Sequence, residues 1–146
     1  MAGRALGDVN VLLYASDASS PVHEPARRFV ERLAAGPEIA YLFWPTVMAY
    51  LRMATHPAIF DRPLTLVEAL GNVEQLLARP HVRTTGEADA FWRRFREVAD
   101  DALPSGNLVP DAHLVALMLE NDVRTIWTRD RDFRRFPRIE VRDPFA

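Results

Sequence analysis

Short apolar runs alternate with amphipathic segments along most of this chain, and that alternation restricts the fold more than any other feature. Four runs have the length and residue types of β-strands. The segments between them repeat apolar residues at helical spacing. Strands that alternate with helices predict an α/β fold, with a mostly parallel sheet of four or five strands and helices on both faces. The predicted strands cover residues 39–43, 82–84, 125–128 and 139–141.

The predicted helices have recognisable boundaries. Pro45 should begin the second helix, Thr65 should cap the third, and Pro110 should begin the fifth. Apolar residues cover both sides of the fifth helix, so we expect it to be buried nearly all round. The five apolar stripes lie within residues 22–33, 47–54, 66–77, 88–98 and 112–119.

The N-terminal segment can be interpreted in two ways. The apolar residues from Val9 to Tyr14 could form a strand, which would leave Asp8 in front of it. Alternatively, the strand ends at Asp8 and a short helix begins near Asn10. The sequence by itself leaves both interpretations open.

Length and composition predict a single domain over residues 1–146 with a core that needs no covalent cross-links. The absence of cysteine excludes disulfides and thiolate metal sites. No apolar run approaches the roughly 20 residues that a membrane span requires, and no secretory signal is evident. We therefore expect a cytoplasmic protein. A net charge of −2 argues against a surface that coats nucleic acid broadly.

Three aspartates lie where predicted strands meet a helix or a loop: Asp8, Asp111 and Asp130. The carboxyl ends of parallel strands meet along one edge of a sheet, where ligands bind. Carboxylates gathered there repel one another unless a hard cation such as Mg²⁺ or Mn²⁺ lies between them. A divalent ion can polarise a phosphate and activate water, which suits phosphodiester hydrolysis. Each aspartate also has a purely structural explanation, as a cap, a helix-dipole partner or a turn residue.

All 18 basic residues are arginines. Seven of them lie between residues 124 and 146, where only Asp130, Asp132, Glu140 and Asp143 oppose them. Guanidinium groups beside Asp130, such as that of Arg129, could bind phosphates, although solvated surface arginines are an equal alternative. Receiver domains and aspartate-nucleophile phosphatases also use an N-terminal aspartate, but they typically require a lysine. The lack of lysine argues against both classes.

The resemblance to a known family rests on four segments of the chain: residues 8–15, 51–57, 106–114 and 128–137. In this order they resemble the motifs of PIN domains, and specifically those of the VapC toxins of bacterial toxin–antitoxin pairs. The resemblance implies a three-layer α/β/α sandwich whose first strand ends at Asp8. It also implies an endoribonuclease that depends on Mg²⁺ or Mn²⁺, is inhibited by a VapB antitoxin and forms a homodimer.

The resemblance also implies roles for individual residues. Three carboxylates would bind the metal, a fourth would line the site, and two polar side chains would orient the carboxylates by hydrogen bonds. The implied ligands are Asp8, Asp111 and Asp130, the fourth acid is Asp132, and the orienting residues are Asn10 and Thr128.

One position departs from the family pattern. Many members carry a further glutamate where this chain has Tyr50, and a tyrosine with a pKa of about 10 cannot replace a carboxylate at neutral pH. Asp132 could compensate, a single ion could bind firmly, or the site could be partly degenerate. Arg52, two residues on, is either a contact for substrate phosphate or an ordinary surface residue. The alternative to an active nuclease is therefore a PIN-like module that binds antitoxin or RNA without cleaving.

Overall fold

A five-stranded parallel sheet forms the centre of the molecule in a computed structural model, which describes residues 4–5 and 7–146. The strand order is β3-β2-β1-β4-β5, and every neighbouring pair is parallel. The four strands predicted from the sequence are confirmed to within two residues at either end. The strands are β1 (Arg4–Ala5), β2 (Ala40–Phe43), β3 (Val82–Thr85), β4 (Thr125–Trp127) and β5 (Glu140–Arg142).

Helices connect successive strands, and all five predicted stripes form helices. Pro110 is the third residue of its helix rather than the first, which is compatible because the first turn needs no internal N–H donors. A five-residue 3-10 helix, Arg131–Arg135, follows β4. The α-helices are α1 (Val9–Ser16), α2 (His23–Ala35), α3 (Trp44–Ala54), α4 (Leu66–Leu77), α5 (Phe91–Ala102) and α6 (Leu108–Glu120).

The N-terminal ambiguity is settled in favour of a short helix. Asp8 caps α1, and its Oδ1 accepts a hydrogen bond from the Asn10 backbone N–H at 3.1 Å. A strand from Val9 to Tyr14 is therefore wrong. The described part of β1 ends at Ala5, so Asp8 lies beyond the strand rather than at its last position.

Two apolar clusters on opposite faces of the sheet confirm the α/β/α sandwich. Adjacent residues of a strand point to opposite faces, and in β2 Leu42 packs with α1, α3 and α4 while Phe43 packs with α5 and α6. Every residue of α6 from Leu114 to Leu119 is buried, as its two-sided apolar pattern predicts. No helix in the described part of the chain is long and apolar enough to span a membrane.

Candidate metal centre

Four aspartates approach one another at the carboxyl edge of the sheet. Asp8 follows β1, and Asp130 follows the adjacent β4. Asp132 lies in the 3-10 helix, and Asp111 lies in the first turn of α6. Asp111, Asp130 and Asp132 can each offer one carboxylate oxygen so that the three atoms lie within 4.8 Å of one another. The fold thus gathers acids from segments far apart in the chain.

Asp8 stands beside this tight set. The sequence placed Asp8 among three metal ligands and Asp132 at the wall of the site. In the structure, Asp132 joins Asp111 and Asp130 in the set within 4.8 Å, since it lies in the 3-10 helix directly after Asp130, while the carboxylate of Asp8 accepts a hydrogen bond at the cap of α1. Asp8 remains near enough for its charge to act on Asp111.

Thr128 connects the two strand ends. Its Oγ1 donates to Asp8 Oδ2 at 2.8 Å and accepts from the Asp130 backbone N–H at 3.0 Å. The side chain is only 2% exposed, so these bonds are shielded from competing water. Asn10 supports the same carboxylate of Asp8 through its backbone N–H. Thr128 therefore fixes the position of Asp8 relative to the turn that carries Asp130.

The turn after β4 is held by its own backbone. Asp130 accepts a hydrogen bond at Oδ1 from the Asp132 N–H at 2.9 Å and so caps the 3-10 helix. Phe133 is 1% exposed and anchors that helix in the core. The orientation of Asp132 towards the other acids thus follows from a capped and anchored turn.

The carboxylates destabilise one another's ionised forms. Burial first, and then repulsion from Asp130, Asp132 and Asp8, together raise the pKa of Asp111 to about 6. Burial also raises the pKa of Asp8, against the hydrogen bonds from Thr128 and Asn10. None of the four acids forms an ion pair with a cationic side chain in the described part of the chain. A hard divalent ion neutralises acids in such a group, and carboxylate oxygens are its usual ligands. The donor set therefore fits such an ion.

Sequence reasoning missed Gly7, which positions Asp8. Its φ is +111°, and a Cβ at this position would lie 1.8 Å from the carbonyl oxygen of Trp127 in β4. A side chain would therefore separate the two strand ends that carry Asp8 and Asp130. The available signal was a glycine directly before the first aspartate, at the point where a strand gives way to a helix.

Tyr50 does not face the acids through its hydroxyl. Its side chain is 2% exposed, and the hydroxyl lies 2.7 Å from Ser16 Oγ and accepts from Asn72 Nδ2 at 3.0 Å. Ser16 is the last residue of α1, whereas Asp8 caps the first turn, roughly 12 Å away along the helix axis. Tyr50 instead lies in the wall of a groove of about 450 Å³ between α1, α2, α3 and α4.

The two arginines singled out from the sequence lie in different surroundings. Arg52 is exposed in the last turn of α3, the end remote from the sheet edge where α3 begins. Arg129 lies next to Asp130, and its Nε is 3.8 Å from Asp143 Oδ2. Its guanidinium also lies 5.4 Å from the centre of the Phe145 ring. The structure brings Arg129, but not Arg52, close to the acidic edge.

Comparison with known proteins agrees with this architecture. The family model described as "PIN domain" matches residues 5–139. Ribonuclease VapC48 of Mycobacterium tuberculosis is 52% identical over 139 residues, which cover 95% of this chain and 96% of that protein.

Two solved structures share the fold at low sequence identity. One is Mycobacterium tuberculosis VapC20, a Sarcin–Ricin loop cleaving toxin, with a TM-score of 0.66, 16% identity and coverage of 94% of this chain and 98% of that one. The other is VapBC2 from Rickettsia felis bound to a DNA fragment from its promoter, with a TM-score of 0.68, 12% identity and coverage of 95% and 97%. The family model and the 52% identity establish that this chain belongs to the PIN-domain family, within its VapC group.

Proposed function

We propose that this protein is a metal-dependent endoribonuclease toxin that hydrolyses RNA phosphodiesters and is neutralised by a VapB-type antitoxin. The observation that carries the proposal is the convergence of Asp111, Asp130 and Asp132 within 4.8 Å, with Asp8 beside them. The names of its relatives support the same activity, since VapC48 is called a ribonuclease and VapC20 a toxin that cleaves the Sarcin–Ricin loop.

Mg²⁺ or Mn²⁺ is the ion that best suits this donor set. Asp111, Asp130 and Asp132 would supply its protein ligands, and Asp8 would complete the acidic wall. Such an ion, when bound, would neutralise charge on the phosphate and activate water. Carboxylate ligands leave room for substrate oxygens and waters, which an octahedral ion requires.

The other residues of the site act by orienting the acids. Asp8 accepts hydrogen bonds on both carboxylate oxygens, from the Asn10 N–H at Oδ1 and from the Thr128 hydroxyl at Oδ2, and these bonds hold the carboxylate in position. Asp130 is held by the cap of the 3-10 helix. Holding the acids in place before substrate arrives avoids reorganisation during the reaction.

The test is cleavage of total RNA with Mg²⁺ or with EDTA by the natural chain, Asp8→Asn and Asp61→Asn. Asp61 is an exposed acid outside the site, so Asp61→Asn is the matched control for loss of one charge. We expect Mg²⁺-dependent cleavage by the natural chain and by Asp61→Asn. Asp8→Asn should lose at least about a hundredfold in rate, as expected when a group that positions the reacting centre is altered. Equal cleavage by Asp8→Asn, or cleavage unaffected by EDTA, would contradict the proposal.

A catalytically inert module is the second candidate, and Tyr50 is the observation that favours it. No carboxylate occupies that position, and the tyrosine hydroxyl is engaged with Ser16 and Asn72. Absence of cleavage by the natural chain, together with intact binding of a VapB-type antitoxin, would support this candidate instead.

The groove between α1, α2, α3 and α4 supports an antitoxin partner. Leu12, Val30, Val47 and Leu76 give it an apolar lining, and Arg79 and the ion pair of Arg27 with Glu31 add charged groups. An apolar groove with a few charged groups suits a peptide segment of a partner protein.

Homodimer formation, a further expectation from the resemblance, stays a prediction that sedimentation would test. With this substrate and this partner, the protein would act in the cytoplasm.

A further inference from the structure

Seven arginines lie between residues 124 and 146, and they differ in whether they form ion pairs. Arg124, Arg129, Arg138 and Arg142 each lie within 4.0 Å of a carboxylate oxygen. The remaining three are exposed and form no ion pair with any residue in the described ranges 4–5 and 7–146. They all belong to the 3-10 helix after β4: Arg131, Arg134 and Arg135.

The side chains of the 3-10 helix lie along three edges. With three residues per turn, side chains three positions apart lie one above the other. Phe133 occupies the edge that faces the core. Arg131 and Arg134 share a second edge, and Asp132 and Arg135 share the third. Asp132 belongs to the acidic cluster, so Arg135 lies on the edge that faces the candidate metal site, roughly 6 Å from Asp132 along the helix axis.

A site of four carboxylates repels an RNA backbone. Even with a divalent ion bound, charges of the same sign flank the phosphate to be cleaved. A guanidinium group beside such a site offsets this repulsion and can hold a phosphate through two parallel hydrogen bonds. Arg135 meets both requirements. It lies on the same edge of the 3-10 helix as Asp132, and it has no ion-pair partner among the described residues.

We propose that Arg135 binds an RNA phosphate adjacent to the one at the acidic cluster, and that Arg131 and Arg134 add weaker contacts along the neighbouring edge. This inference rests on the proposed nuclease function and assigns part of its substrate-binding surface. The contacts are to phosphates, so they strengthen binding of any RNA sequence and set the register of the strand across the site.

The test measures binding of fluorescein-labelled single-stranded RNA of random sequence, at several salt concentrations with Mg²⁺ present. All proteins carry Asp8→Asn so that the probe is cut far more slowly during the measurement. Arg135→Ala should raise the Kd roughly five- to twentyfold, as for loss of one charge-assisted pair at an exposed site. The slope of log affinity against log salt should fall by about 0.7 for each phosphate that is no longer bound. Arg135→Lys should recover part of the affinity because it keeps the charge without the paired donors.

Arg124→Ala is the matched control. Arg124 precedes β4, at the opposite end of the strand from the acids, and pairs with Asp122. We expect its Kd and salt slope to equal those of the parent. Equal losses of affinity in Arg124→Ala and Arg135→Ala, or no loss in Arg135→Ala, would contradict the proposal.

The same substitutions of Arg135 and Arg124 are then made in the natural chain, which keeps Asp8. Cleavage of total RNA by these variants separates the two proposals. If the natural chain cleaves and Arg135→Ala cleaves and binds equally well, the phosphate contact is wrong and the nuclease function stands. If the natural chain does not cleave but RNA binding depends on Arg135, the nuclease function is wrong and the phosphate contact stands. If no protein binds RNA and the natural chain does not cleave it, both are wrong. Because Arg135 is exposed, its variants should melt at the parent's temperature, which circular dichroism would verify.

Discussion

At the scale of single residues, Asp111 experiences the strongest effect of the clustered charge. Its pKa of about 6 arises first from burial and then from three neighbouring carboxylates. In the unfolded chain an aspartate has a pKa near 3.9. The folded, metal-free protein therefore binds a proton at Asp111 more tightly than the unfolded chain does.

This difference predicts how the stability of the metal-free protein depends on pH. The stabilising contribution of Asp111 to the free energy of unfolding is fully present below about pH 4 and is lost as the pH rises through about 6. After allowance for solvent screening, the loss is on the order of 1 kcal/mol. Asp111→Asn should remove this loss of stability with rising pH and so stabilise the metal-free protein at neutral pH, whereas Asp61→Asn should do neither. Thermal unfolding in EDTA across this range checks the prediction, and an identical pH dependence in the parent and Asp111→Asn would contradict it.

Tyr50 gives a second prediction at this scale. Tyr50→Phe removes a hydroxyl that contacts Ser16 and Asn72, so the free energy of unfolding should fall by about 1 kcal/mol. RNA cleavage should be retained because these partners lie away from the acids. Tyr50→Glu should lower stability further without raising Mn²⁺ affinity, since its carboxylate would be buried beside Ser16. Urea unfolding, cleavage assays and Mn²⁺ titration measure these effects. Loss of cleavage by a folded Tyr50→Phe would place Tyr50 in the active site.

At the scale of elements, the junction between β1 and α1 positions the site. Gly7 allows the chain to turn against β4 with φ of +111° and no side chain. The turn presents Asp8 to Thr128, which lies 120 positions further along the sequence. The junction is therefore the point at which local backbone geometry controls a long-range contact.

Gly7→Ala should destabilise the fold by about 2 kcal/mol or more, because both the backbone conformation and the contact with Trp127 are unfavourable for a Cβ. It should also reduce cleavage by moving Asp8. Gly71→Ala is the matched control, since Gly71 lies inside α4 and a Cβ added there would have nothing within 4 Å. That change should stabilise the protein by roughly 0.5–1 kcal/mol. Chemical denaturation of both variants is the measurement, and equal stability of the two would contradict this account.

Features that depend on local sequence could be predicted. The cap at Thr65 is present as a capping box with Glu68, and α6 is buried as its two-sided pattern requires. The short β1 could not be recognised by periodicity, because its pairing with Ala40 and Ile126 comes from distant segments. Likewise, the sequence predicted that acids meet at one edge but not that Asp132 shares the set within 4.8 Å with Asp111 and Asp130. That distinction depends on the 3-10 turn and on the cap of α1.

At the scale of the whole molecule, the parallel sheet converts distant chain positions into one acidic edge. Asp8 and Asp130 meet because β1 and β4 are neighbours, and Asp111 joins them because α6 packs under the same edge. A metal that binds only this arrangement stabilises the folded protein as a whole. We therefore expect the fold to create a site for a divalent ion.

Diffraction from crystals grown with Mn²⁺ would show whether an ion occupies this edge of the sheet. An anomalous difference peak should lie among Asp111, Asp130 and Asp132, within about 2.5 Å of their carboxylate oxygens. The same peak should be absent from crystals of Asp111→Asn. A natural chain with no peak at this edge, or with Mn²⁺ bound only elsewhere, would contradict the account.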